Sequence, residues 1–316
     1  PHFMDPDDPR RRVALDIQAI VLGPPRRFPR LRPGFLAPLL DAGDPAHARK
    51  AFLGAYVGAI WYKVFEVELT VPEMRRLGQG VRELAVIGVL PGWTHRLLGD
   101  GMLVDRFDQS ITWTKQLFRE RSGDGARRLR AYGEAQPDGR PLDLDMALQC
   151  AAAELLIAGG ATAIERMISR LEAHGMDEVE AYRRCPHGWL HEILRHRTPV
   201  VRASNSYADR PLEFESRGRT YAMPPDTVFA ASLAEAHRDA TVFPDADRFD
   251  PHRDTSQTLC FHAPEDDFAS ARPGADRPCP GHDLGLDILT ELAPLVVESF
   301  ARGLGPPKNP RPFDAP

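Results

Sequence analysis

Several places along the chain gather residues whose types and spacing suit chemistry. The first is Arg277-Pro278-Cys279-Pro280-Gly281, which feeds an apolar periodic run from Leu284 to Leu304. A cysteine in a loop bounded by proline and glycine, just ahead of a helix, is held rigidly. The helix that follows points amide groups and its positive dipole end at the loop, favouring thiolate over thiol. Such a cysteine suits the role of one soft anionic metal ligand. The plainer reading is a small buried cysteine before an ordinary helix.

The second place is Ala158-Gly159-Gly160-Ala161-Thr162, inside a helical pattern that runs from Asp143 to His174. Each glycine there costs a helix about 1 kcal/mol relative to alanine. The pair therefore points to a local widening or to the close approach of something bulky, with tight helix packing as the alternative. The third is Glu192 with Arg195, at i and i+3 on one side of a helix expected over Asp177 to His196. That spacing suits an internal ion pair, though the pattern alone is common. The fourth is the proline-locked stretch Phe243-Pro244-Asp245-Ala246-Asp247-Arg248-Phe249-Asp250-Pro251, in which Arg248 is available to a carboxylate. Cys260, His262, Cys279 and His282 lie near one another in sequence but lack a compact zinc-finger framework.

The elements that must position these residues are mostly helical. Residues 1–43 are rich in proline and read as an irregular arm over the body, and residues 44–316 read as a single domain. Asp44 is an N-cap candidate with Pro45 at the first helical position, and Ala46 to Phe65 follows as a helix with Phe52, Tyr56, Ile60 and Trp61 on its apolar side. Thr70 and Glu73 have capping-box spacing ahead of a second helix. Leu103 to Arg130 continues the helical pattern. After Thr198-Pro199 the period shortens: Leu212 to Ser216 and Thr220 to Met223 read as a hairpin about Arg217-Gly218, and Thr227 to Ala231 as a third strand. The expected fold class is mainly α with a small antiparallel β-sheet.

Composition narrows the function classes. The chain has 316 residues, 42% of them hydrophobic, enough for a large core, and a net charge of -5 with both signs interspersed. Its short arginine clusters carry no aromatic–basic pattern, so no nucleic-acid partner is expected. Four cysteines without CxxC spacing argue against a disulfide scaffold and fit a reducing compartment. No apolar stretch is long enough to cross a bilayer, so no membrane partner and a cytoplasmic location are expected.

Taken in order, a Gly-Gly-x-Thr helix centre, an ExxR helix, a short-strand sheet, an FPDADRFDPHR segment and a Cys-Pro-Gly loop before a helix resemble the heme-thiolate superfamily, cytochrome P450. The resemblance covers residues 143–304 well and residues 44–130 loosely. It implies a P450-like fold, truncated at the N-terminus, and a heme b cofactor. By the same resemblance Cys279 is the axial thiolate ligand of the iron. Gly281 lets the next helix pass close under the porphyrin, and Arg277 offers a cation to one propionate, with Arg202 a candidate for the other. Gly159, Gly160 and Thr162 occupy the distal helix centre, where glycine opens access and the hydroxyl manages protons. Glu192, Arg195 and Arg248 correspond to the buried ion-pair triad that supports the cysteine loop.

Three departures shape the expected activity. The chain is shorter than ordinary members, which leaves room for a large or carrier-bound substrate or for a completing protein subunit. The acidic residue that usually precedes the distal threonine is Ala161. The approach to the cysteine carries Arg272 and Ala275 where Phe and Gly are usual, after a long insert beyond Arg253. The Arg-x-Cys-Pro-Gly form is similar to the branch that consumes peroxides or lipid hydroperoxides. The leading expectation is an oxidoreductase acting on a small or medium organic molecule, a monooxygenase in bacterial natural product biosynthesis served by a ferredoxin or flavoprotein reductase. The alternatives are a reductase-independent peroxygenase, isomerase or dehydratase, and a non-catalytic activator of a partner protein.

Overall fold

The computed structural model describes residues 29–32, 45–65, 67–89, 100–121, 127, 131, 159–198, 202–207, 211–216, 218–225, 227–259 and 281–304. The centre of the core is helix α1 (Pro45–Phe65), whose residues 51–65 are all buried. A helix covered on every side must be apolar nearly all round, and AFLGAYVGAIWYKVF is so except at Lys63. Helix α2 (Val71–Val89) lies against α1 where Gly54 and Gly78 face each other. A Cβ on Gly54 would sit 2.6 Å from the Met74 carbonyl oxygen, so glycine is what allows the two backbones to touch. Thr70 starts α2: Glu73 Oε2 accepts from the Thr70 amide at 2.7 Å and from its hydroxyl at 2.9 Å.

Helix α3 (Asp100–Arg121) packs on α2 and sends Phe118 inward. There it meets Trp61 and Phe65 edge-on, at centroid separations of 6.0 and 5.1 Å. On the other side of α1 lie α4 (Gly159–His174) and α8 (His282–Ser299), which also pack on each other. Ala163, Ile164, Met167 and Leu171 of α4 and Ile288, Leu292 and Val297 of α8 bury the shared face. Pro294 sits inside α8, and the helix passes into a π-type turn over Phe300–Leu304, where Gly303 takes φ 80°.

The helix expected over Asp177 to His196 is two helices, α5 (Met176–Arg184) and α6 (Pro186–His196). The cause is Pro186, which has no amide hydrogen and drives the preceding Cys185 to φ -146° and ψ 72°. Of the long pattern from Asp143 to His174, residues 143–158 lie outside the described residues.

Among the described residues the β-structure is two antiparallel ladders. Strand β1 (Arg202–Tyr207) pairs with β4 (Thr227–Ser232), Arg202 opposite Ser232. Between them in sequence, β2 (Leu212–Ser216) and β3 (Arg219–Met223) form the expected hairpin, with Gly218 at φ 70° in its turn. The third strand therefore pairs with the residues after Thr198-Pro199, not with the hairpin. Helix α7 (Leu233–Ala236) follows directly, with Ser232 Oγ accepting the Glu235 amide at 3.2 Å.

Candidate functional site

A dense set of buried hydrogen bonds joins α6 to the irregular loop 237–259. Trp189, Leu190, Ile193 and Leu194 pull α6 into the core and carry Glu192 and Arg195 with them. Both polar residues are fully buried, at 0% and 1% exposure, so each must find partners inside. Arg195 Nε donates to Glu192 Oε2 and Nη2 to Oε1, both at 2.7 Å, a bidentate fork. Its remaining donors go to backbone carbonyls: Nη1 to His237 at 2.6 Å and Nη2 to Ala246 at 2.8 Å. The Asp250 amide donates to Glu192 Oε1 at 3.0 Å.

The second cation on this carboxylate is Arg253, with Nε 3.3 Å from Glu192 Oε1. Its Nη2 donates to the carbonyls of Asp245 and Arg248 at 2.9 and 3.0 Å, and its Nη1 to that of Pro244. Arg248, expected in this place, is exposed and contributes its backbone carbonyl instead. The reason is the path of the loop. Asp245 takes φ 51°, and the turn that follows brings three carbonyls inward while the Arg248 side chain faces solvent. Asx-type bonds stiffen the same loop: Asp239 Oδ1 accepts the Thr241 amide at 2.9 Å, and Asp250 Oδ1 the His252 amide at 3.0 Å.

The loop also touches α6 backbone to backbone. A Cβ at Gly188 would lie 1.9 Å from the Pro251 carbonyl oxygen, so no other residue fits there without movement. His196, at the end of α6, meets the Asp247 carbonyl through Nε2 at 2.9 Å, and burial pushes its pKa below the usual histidine range.

The remaining candidates divide by position. Thr162 is half-buried in the first turn of α4, and Gly159 and Gly160 open that helix. Gly281 is the N-cap of α8, its carbonyl accepting the Gly285 amide at 2.7 Å. Arg202 begins β1. Cys279, Arg277, Arg272, Ala275, Cys260 and His262 lie outside the described residues. His282 pairs with the adjacent Asp283 at 2.8 Å.

Sequence reasoning missed a second charged cluster. Lys63, fully buried on α1, is 2.6 Å from Asp287 and 2.8 Å from Glu291 of α8. Its Nζ also donates to the Pro29 carbonyl at 3.0 Å, and Glu291 Oε2 accepts the Leu31 amide at 2.7 Å. A lone lysine in the middle of an apolar run was the available signal. It missed His237 as well, which joins Arg195 to Leu259.

Comparison with known proteins turns on this architecture. The Cytochrome P450 family model matches residues 188–269, the stretch that holds Glu192, Arg195 and Arg253 and ends ahead of Cys279. The fold is P450-like. Similar solved structures include ligand-free cytochrome P450 TbtJ1, 21% identical, covering 92% of this chain and 74% of that one with a TM-score of 0.56. A structure described among unusual P450-like monooxygenases of microbial secondary metabolism is 15% identical, covering 94% and 74% with a TM-score of 0.61. P450BioI in complex with an acyl carrier protein bearing hexadec-9Z-enoic acid is 14% identical, covering 92% and 69% with a TM-score of 0.55. No curated protein matches the sequence.

The P450-like fold and the family match over residues 188–269 point to a heme cofactor. The described residues fit that group in two respects. Gly281, the N-cap of α8, stands two residues beyond Cys279 in the sequence, so the amide end of the helix follows this candidate thiolate closely along the chain. Helix α4, which carries Thr162, packs directly on α8. No helix among the described residues is long and apolar enough to cross a membrane.

Proposed function

We propose that this protein is a P450-type heme-thiolate oxidoreductase acting on a small or medium organic substrate, free or attached to a carrier. The observation that carries the reading is the buried Glu192–Arg195–Arg253 network, which fixes the loop leading toward Cys279. When bound, heme supplies the oxidising chemistry, and a thiolate ligand donates electron density that favours oxygen–oxygen cleavage. Cys279 is the ligand in this proposal, made a thiolate in part by the amide end of α8. Arg277 and Arg202 hold the propionates, for which rigid guanidinium forks suit partly desolvated anions. Gly281 leaves room for close passage of α8, Gly159 and Gly160 leave the distal side open, and the Thr162 hydroxyl holds or passes a proton. Residues 44–316 act as one heme domain, with the arm resting on it through Pro29 and Leu31.

The carrier-bound option takes support from the P450BioI complex, whose partner is an acyl-loaded carrier protein. A role in secondary metabolism takes support from the P450-like monooxygenases so described. Ala161, in place of an acid beside Thr162, favours a second reading in which peroxide or a hydroperoxide replaces oxygen and a reductase. Turnover of candidate substrates with peroxide alone, set against turnover with a ferredoxin–reductase pair, separates the two. Product only in the reductase arm sinks the peroxide reading, and product only with peroxide sinks the other.

A further inference from the structure

His237 follows helix α7 and has no part in the function proposed for Cys279 and Thr162, yet it is only 1% exposed. Its backbone carbonyl accepts from Arg195 Nη1 at 2.6 Å. Its ring Nε2 accepts the Leu259 amide at 2.8 Å. Leu259 is the last described residue before the segment 260–280, which contains Cys279. One residue thus joins the buried ion-pair network to the start of that segment.

The acceptor role of Nε2 fixes the tautomer. The proton sits on Nδ1, which has no hydrogen-bond partner among the described residues. Protonation would make Nε2 a donor facing another donor and break the bond. Burial and the Arg195 charge oppose that protonation, and the charged groups around the ring are these. From α6 comes Arg195, with Glu192 tied to it, and from the loop comes Arg253 on the same carboxylate. The loop also places the Phe243 ring edge-on to the imidazole at 6.2 Å, and α7 contributes only Glu235, which is exposed.

We infer that His237 is a positioning residue whose neutral ring latches Leu259, at the end of the loop 237–259, onto the Glu192–Arg195–Arg253 network. The latch stands on its own geometry; its consequence at iron rests on Cys279 being the ligand. Burial first, and then the Arg195 charge, pull the His237 pKa from 6.5 down to about 4. A depressed histidine pKa means that the open form binds more protons than the closed one. The closing free energy is therefore fully present above 6.5 and is lost as pH falls toward about 4.

The test compares the full chain with a His237→Gln variant, whose side-chain oxygen can take the place of Nε2 but cannot titrate. In heme-free protein, exchange of the Leu259 amide, corrected for its intrinsic rate, is expected to rise roughly twentyfold between about pH 7 and about pH 5. In His237→Gln it is expected to stay slow at both values, and in His237→Ala to be fast at both. Equal acceleration in the Gln variant, or none in the parent, overturns the latch. With heme added, the reduced carbon-monoxide spectrum reads the ligand separately. A parent lacking the thiolate-type band while Leu259 behaves as described removes the Cys279 assignment and leaves the latch standing. A thiolate-type band that survives acid better in His237→Gln than in the parent supports both.

Discussion

Two of the buried charge clusters among the described residues are inverses of each other. In one, a single carboxylate, Glu192, is held by two guanidiniums, Arg195 and Arg253. In the other, a single ammonium, Lys63, is held by two carboxylates, Asp287 and Glu291. The first is dry: the side chains of Glu192 and Arg195 are fully buried and that of Arg253 is 8% exposed. In the second only Lys63 is dry, since Asp287 and Glu291 keep 41% and 23% of their side-chain surface. They also do different work. Lys63 joins two regular helices that would pack on their apolar faces anyway. Glu192 and its arginines organise a loop with no ladder of its own, by supplying donors to five of its carbonyls. Charge is structural in both, but the first specifies the path of a whole loop, while the second, besides joining its helices, holds only the backbone at Pro29 and Leu31.

Breaking each cluster should show that difference. Arg195→Leu strands Glu192 and several carbonyls away from water, and should cost about 3–5 kcal/mol in denaturant unfolding, enough to prevent heme uptake. Gly188→Ala pushes α6 off Pro251 and should cost about 1–3 kcal/mol or more, with heme uptake weakened. Lys63→Met releases two carboxylates that can turn to water, so a smaller loss of about 1–3 kcal/mol is expected, with the loop 237–259 still protected from exchange. If Lys63→Met destabilises more than Arg195→Leu, the contrast between the clusters is wrong. Thr70→Ala, at the surface cap of α2, should cost about 1 kcal/mol. Arg248→Ala should stay within about 0.5 kcal/mol of the parent, because its side chain faces solvent. A large effect there would restore Arg248 to the triad in place of Arg253.

What the sequence made legible follows the range of the interactions. The Thr70–Glu73 cap and the Glu192–Arg195 pair are three residues apart, so helix geometry alone places them. The β2–β3 hairpin announced itself through alternation and Arg217-Gly218. Pairing of β1 with β4 did not, because RASNSY is polar and its partner lies beyond an intervening hairpin. Arg253 was hidden for a related reason. Which of two arginines five residues apart turns inward depends on the turn at Asp245, and no periodicity encodes that. The break at Cys185-Pro186 was readable from proline and was overridden by a continuous helical pattern on both sides. Lys63 could be noticed as an oddity in an apolar helix, but its carboxylate partners stand more than 220 residues away.

The central claim is that the Glu192–Arg195–Arg253 network serves a cysteine loop that holds heme through Cys279. Its most direct test is the absorption spectrum of the heme-loaded protein, reduced and exposed to carbon monoxide, beside that of Cys279→Ser. The account predicts the long-wavelength Soret band of a thiolate-ligated heme in the parent and its loss in the variant. The same band in both proteins, or no heme bound by the parent at all, would contradict it.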